Sequence, residues 1–212
     1  MRMFAALFGL VAGLLAGIAS AATYTEGKDY VLLGEAVRPA DPTKIEVAEV
    51  FSFLCPHCYH FEPLLKAWYK KQPADVVLVQ THAAFNQNWA AYQRAFYTLQ
   101  ALDLKENKEK VQEAIFNSIY VGHKELLTAE AWADFFSLYG VDKQKTLSTY
   151  NSFGVNSQVK QAEKRVRDFK ITSTPTVIVD GRYRVAVSAH EDMLKVTQFL
   201  VDKIRAERAA KR

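Results

Sequence analysis

Residues 49–62 read EVFSFLCPHCYHFE, and the rest of the chain is read outward from this stretch. Its first part continues a run from Lys44 to Phe53 (KIEVAEVFSF) that is rich in β-branched and aromatic residues. That composition suits a strand, and its apolarity suits a central one. Pro56 follows Cys55 and fits the first turn of a helix, where its missing N–H is not needed. Phe61, Leu64, Leu65 and Trp68 then recur at helical spacing, which predicts a helix from about residue 56 to 71, kinked at Pro63 and ended by Pro73. Residues 75–82 (DVVLVQTH) read as the next strand. Cys55 and Cys58 therefore stand at a strand-to-helix junction.

Further out the pattern changes. Residues 88–104, 108–120, 128–139 and 142–150 carry apolar positions at steps of three and four, and Gly122 and Gly140 can end two of these helices. Residues 85–160 are thus expected to be an all-helical insertion. A helix over 156–169 leads to Thr174-Pro175, a strand over 176–179, an Asp180-Gly181 turn and a partner strand over 183–187. An amphipathic helix over 191–205 follows, and the charged tail 205–212 (RAERAAKR) is expected to fray. The expected fold class is α/β, with 22–84 and 161–212 forming one unit around the helical insertion.

The N-terminus reads as an export signal over 1–21. Arg2 supplies the positive start, Met3 to Ile18 are apolar apart from glycines, and Ala19-Ser20-Ala21 is a small-residue cleavage site. The apolar run is shorter than the roughly 20 residues that a membrane span prefers. Removing this segment takes away Arg2 and no acid, so the net charge goes from +4 to +3. Lysines and glutamates are interspersed, with no basic stripe to follow a phosphate backbone, and nucleic acid is excluded as a partner.

The chain has two cysteines, and both lie in Cys55-Pro56-His57-Cys58. A disulfide over two intervening residues constrains almost no chain entropy, so a structural role gives little return. A closed zinc site needs four ligands, and no second CxxC or His-x-x-x-His completes one. Reactivity is the remaining reason for the pair. Disulfide exchange runs through a thiolate, and a helix N-terminus stabilises one. Cys55 is then the attacking sulfur and Cys58, three residues on, the more buried resolving one. Pro56 stiffens the turn, and His57 adds a donor beside the thiolate. Glu49, in an apolar strand six residues before Cys55, is a candidate proton carrier. Glu62, seven residues after Cys55, fits either that network or a solvated helix face. His82, His123 and His190 share no ligand spacing and read as structural or surface residues. Trp68, Trp89 and Trp132 read as core.

Taken together, EVFSFLCPHCYHFE (49–62), NSFGVNSQVKQAEK (151–164) and TPTVIVDGRY (174–183) resemble the DsbA family of bacterial envelope disulfide oxidases. The resemblance spans the mature chain and implies a thioredoxin fold with an inserted helical domain. It also implies that Cys55 is the nucleophile, Cys58 the resolving thiol, His57 and Glu49 tuning residues, and Pro175 a cis-proline that meets substrate backbone beside Thr174. The expected activity is donation of the Cys55–Cys58 disulfide to reduced, unfolded exported proteins in the periplasm by a monomer that needs no other cofactor. A DsbB-like quinone-linked membrane oxidase would reoxidise it. Two residues depart from the commonest family pattern: Thr174 in place of valine, and Gln80 where a lysine usually faces the buried glutamate. Thr174 keeps a reductase or isomerase on the same fold as an alternative. A periplasmic chaperone with incidental cysteines is the non-enzymatic one.

Overall fold

The computed structural model describes residues 23–104 and 108–211. The expected signal segment, 1–21, lies outside the described residues. The strand β2 (Ile45–Phe51) is buried at every position. It pairs in parallel with β3 (Val76–His82), from Ile45 opposite Val76 to Phe51 opposite His82, and the helix α1 (Pro56–Tyr69) makes the crossover. α1 continues through Pro63. β4 (Thr176–Val179) runs antiparallel on the other side of β2, followed by β5 (Tyr183–Val185) and β1 (Tyr30–Leu32). The sheet order is β1-β5-β4-β2-β3.

Side-chain parity along β2 sorts the two faces. Ile45 and Val47 point to a core shared with Phe61 and Leu65 of α1 and with Val196, Leu200 and Ile204 of α7 (His190–Ala209). Ala48 and Val50 point the other way, toward Phe169 and Ile171 at the end of α6 (Phe153–Asp168). The same parity puts Glu49 on the α1 face and Glu46 on the opposite one. Glu46 pairs there with Arg165 of α6.

Between β3 and β4 lie α2 (Gln87–Ala101), α3 (Lys108–Tyr120), α4 (Ala129–Ser137), α5 (Lys143–Tyr150) and α6. Their core holds Tyr92, Phe96, Phe116, Trp132 and Phe136, and it is continuous with Phe51, Phe53, Cys55 and Cys58. Trp132 is fully buried, whereas Trp68 and Trp89 are only half-buried. Four polar caps set the helix starts: Asn86, Thr128, Asp142 and Ser152 accept from the N–H groups of Trp89, Ala131, Lys145 and Val155. Ser152 explains why α6 begins three residues before the expected Asn156. α6 also runs unbroken through residue 160, where the sequence reading had placed the end of the insertion.

Two further expectations need correction. The tail does not fray at Arg205, because α7 runs to Ala209. Arg205 binds Asp75 at 2.8 Å, and Arg208 binds Asp180 at 2.7 Å. The strand after the turn ends at Val185 instead of Val187. β1 was not anticipated.

The Asp180-Gly181 turn has φ of 55° and 63°, the left-handed pair of a tight hairpin. At Gly181 an added Cβ would lie 1.7 Å from the Val37 carbonyl oxygen. Gly181→Ala is therefore expected to lower stability by ~3 kcal/mol or more, through both backbone strain and collision. Urea denaturation measures this, and an unchanged midpoint would show that the Val37 segment can move aside freely.

Candidate functional site

Cys55 is the N-cap of α1, with extended backbone (φ −97°, ψ 112°) and Pro56 as the first helical residue. Its sulfur accepts the N–H of Cys58 at 3.3 Å, which is one of the unpaired donors of the helix start. Across 119 residues of chain, its thiol donates to the Thr174 carbonyl at 3.3 Å. The Thr174-Pro175 bond is cis. The loop is held from below as well. Ser52 accepts the Cys55 N–H through its carbonyl and the Leu54 N–H through its hydroxyl.

The two sulfurs are not equivalent. The Cys55 thiol is lowered from an ordinary 9.0 to about 6, first by the hydrogen bond from the Cys58 thiol. Burial opposes the shift, and the Thr174 side chain and the N–H groups of Cys58 and His57 support it. Thr174 thus plays two parts, its carbonyl serving the thiol and its hydroxyl the thiolate. His57 contributes through its backbone N–H, while its ring is exposed. Cys58 is pushed far up, first by burial and then by the Cys55 sulfur and the charge of Glu49. At neutral pH the dithiol form carries its negative charge on Cys55.

Beneath the pair is a buried polar network. Gln80 stands beside Glu49 in the parallel register, and its amide donates to Glu49 at 2.7 Å and to Glu62 at 3.0 Å. Gln112 donates to Glu62 at 2.8 Å and to the Gln80 carbonyl oxygen at 3.0 Å. Lys66 closes the set with an ion pair to Glu62 at 2.8 Å. Glu49 is fully buried, and its carboxyl is raised well above the usual range, first by burial and next by the charge of Glu62. A neutral amide therefore stands beside Glu49, and Lys66, paired with Glu62, opposes the rise only as a smaller charge effect. Glu62 belongs to this buried set and not to a solvated face.

The sequence reading missed two neighbours. His82 is fully buried, and its Nε2 accepts the Phe53 N–H at 3.0 Å while Nδ1 meets the Ala83 carbonyl at 2.8 Å. That pairing requires the neutral ring with its proton on Nδ1. Burial agrees, lowering the His82 pKa to about 3. His82 thereby anchors the segment leading into Cys55; its place opposite Phe51, at the end of β3, was the available signal. Tyr120, stacked on Tyr59, has a buried hydroxyl without a partner among the described residues. Burial raises its pKa, with the two sulfurs adding to the shift. Among the described residues no group of three or more His, Cys, Asp or Glu is placed to hold a metal ion. His123 follows the end of α3, with positive φ.

Comparison with known proteins agrees with this geometry. A family model described as a DSBA-like thioredoxin domain matches residues 46–200. The thiol:disulfide interchange protein DsbA of Pseudomonas aeruginosa is 40% identical over 209 residues, covering 97% of this chain and 94% of that protein. The protein of the same name from Burkholderia cepacia is 38% identical over 199 residues, covering 91% and 92%. The crystal structure of Pseudomonas aeruginosa DsbA superposes with a TM-score of 0.81 at 42% identity, covering 89% of this chain and 97% of that one. The oxidoreductase DsbA from Xylella fastidiosa gives a TM-score of 0.79 at 32% identity, covering 85% and 97%.

Thiolate absorbance of the reduced protein is expected to titrate with a midpoint near 6. The folded-state pKa is depressed, so the stabilising effect of the thiolate is full above the unfolded value and is lost as pH falls through 6. The reduced form should gain stability over the oxidised form as pH rises from 6 toward 9. Thr174→Val should move the midpoint upward; an unmoved midpoint would remove the hydroxyl from the site.

Proposed function

The chain belongs to the DSBA-like thioredoxin family and is a thiol:disulfide oxidoreductase, and on that premise we propose that its own residues work as follows. The oxidised Cys55–Cys58 pair meets a reduced client. A client thiolate attacks the Cys55 sulfur, a mixed disulfide forms, and Cys58 leaves with the bonding electron pair. Cys58 takes up a proton at once, because its site strongly disfavours the anion. Glu49, itself inclined to hold a proton, is the carrier that hands it over. A second client thiolate then attacks the client sulfur of the mixed disulfide, and Cys55 departs as a stable thiolate. Two electrons have moved from client to enzyme, and the client holds the disulfide.

The observation that carries the oxidising direction is the unequal ionisation of the two cysteines. Whatever stabilises the Cys55 thiolate stabilises the reduced enzyme, which makes the disulfide readily given away. Pro56 fixes the turn that presents the donors. The Thr174 hydroxyl supports the thiolate too, so this departure from the commoner valine favours the oxidase over the reductase. Thr174 and Pro175 would receive client backbone, leaving His57 at the exposed rim.

The wider setting belongs to the same reading. Clients are reduced, unfolded exported proteins in the periplasm, and a DsbB-like quinone-linked membrane oxidase restores the disulfide. The protein acts as a monomer, with the Cys pair as its only redox group. The redox unit is taken as 22–84 and 161–212 and the helical unit as 85–160, with α6 spanning the junction between them and the helical core packed against the two sulfurs.

Equilibration of the pair against a glutathione series tests the direction. An oxidising potential is expected, and one as reducing as thioredoxin's would overturn the oxidase reading. Cys55→Ala should abolish exchange, whereas Cys58→Ala should trap mixed disulfides on Cys55. Glu49→Gln should slow uptake of the Cys58 proton on the order of 100-fold, the lower end for a positioned proton donor, and flatten the pH dependence of that step.

A further inference from the structure

A groove of about 570 Å³ opens beside the reactive sulfur, between the Thr174-Pro175 loop, the end of β5 and the start of α7. Its walls include His57 and His190, whose rings lie 6.3 Å apart, and hydroxyls from Ser173, Thr174 and Thr176. Arg184 also lines it. No aspartate or glutamate does. Two acids stand in the first turn of α7: Asp192 is taken up by Lys195 at 2.9 Å, and Glu191 is exposed and outside the lining.

Arg184 stands out among the half-buried arginines. Arg165, Arg182, Arg205 and Arg208 each hold a carboxylate, and Arg94 binds the Tyr150 carbonyl and lies over its ring. The Arg184 guanidinium has no hydrogen bond, ion pair or ring contact among the described residues. Its place follows from the strand. Tyr183 and Val185 point into the core shared with α7, so Arg184 must point to the opposite face, where the loop before Pro175 passes. A half-buried guanidinium with no internal partner, facing a groove without acids, is arranged to meet a carboxylate from outside.

We propose that Arg184 is a specificity-determining residue that makes this groove favour reduced polypeptides carrying an aspartate or glutamate within a few residues of the reacting cysteine. This rests on the reading of Cys55 as the sulfur that meets the client. The groove holds the client segment while the mixed disulfide exists, and the guanidinium pairs with the acidic side chain. At neutral pH Arg184 provides the fixed positive charge, because burial and then the charges of His57 and His60 lower the His190 pKa.

The test uses the oxidised full-length protein and reduced peptides, each with one cysteine. The peptides are identical except for Glu, Gln or Lys placed one to three residues to either side of it. Stopped-flow gives the rate of mixed-disulfide formation. A neighbouring acid also changes the ionisation of the peptide's own thiol, so the quantity read is the Glu/Gln rate ratio of the wild type divided by that of Arg184→Gln. At the best position it should be ~3–5 at low ionic strength, the reach of one partly exposed ion pair. It should shrink toward unity in 0.5 M salt. Arg184→Glu should turn the preference toward Lys. A quotient of one at every position, or no reversal in Arg184→Glu, overturns the proposal. Reduction of the wild-type protein by dithiothreitol tests the cysteine pair independently: if that fails, the reading of Cys55 is wrong, and if it succeeds without acid preference, only the role of Arg184 is lost.

Discussion

The site depends on placing a negative charge on a sulfur that is almost entirely covered by protein. An isolated buried anion is strongly disfavoured, so the fold must supply donors where water cannot. The start of α1 does so with groups that no helix can pair internally. Its usefulness requires that Cys55 stay at the cap, and several elements exist to keep it there. β2 brings the chain in at the centre of the sheet, Ser52 holds the bend, and His82 ties Phe53 to the neighbouring strand. The Thr174 loop closes the site from the far end of the sequence.

The second sulfur is shaped by the opposite condition. Cys58 shares the same turn but faces inward, above Glu49 and away from solvent. Two carboxylates lie in that interior with a single lysine at its margin, and two glutamine amides join them. Amides donate hydrogen bonds without adding charge. They hold one Glu49 oxygen and both Glu62 oxygens, leave Glu49 Oε1 without a partner among the described residues, and add no charge, which favours the neutral form of Glu49. A lysine at position 80 would instead hold Glu49 as an anion. The replacement by Gln80 thus alters how readily a proton is available beneath the pair.

Much of this was legible in the sequence. The strand, helix and strand around Cys55 were plain because apolar period and the CxxC agreed, and Asp180-Gly181 announced its turn. The helices between 85 and 169 were found by period and by glycine stops, with ends displaced by at most three residues, as at the start that Ser152 caps. β1 was invisible because three residues establish no alternation, and it exists only because β5 offers an edge. The tail looked frayed because its charges seemed to lack partners; Asp75 and Asp180 come from distant parts of the chain. The roles of Gln112, His82 and Arg184 are tertiary for the same reason. The identity of Glu49 as a buried acid was accessible, but its company was not.

The bond between Cys55 and Thr174 joins residues separated by 119 positions. A chain that emerges from its N-terminus presents the two cysteines long before the loop that completes their surroundings. The intervening helices and β4 must be delivered before the thiol has its full set of neighbours. During that interval the catalyst is itself a client: an unfolded polypeptide with two exposed thiols, chemically like the molecules that it will later oxidise. Maturation of the site is therefore tied to completion of the whole chain, and partial products carry the reactive residues without the environment that sets their direction.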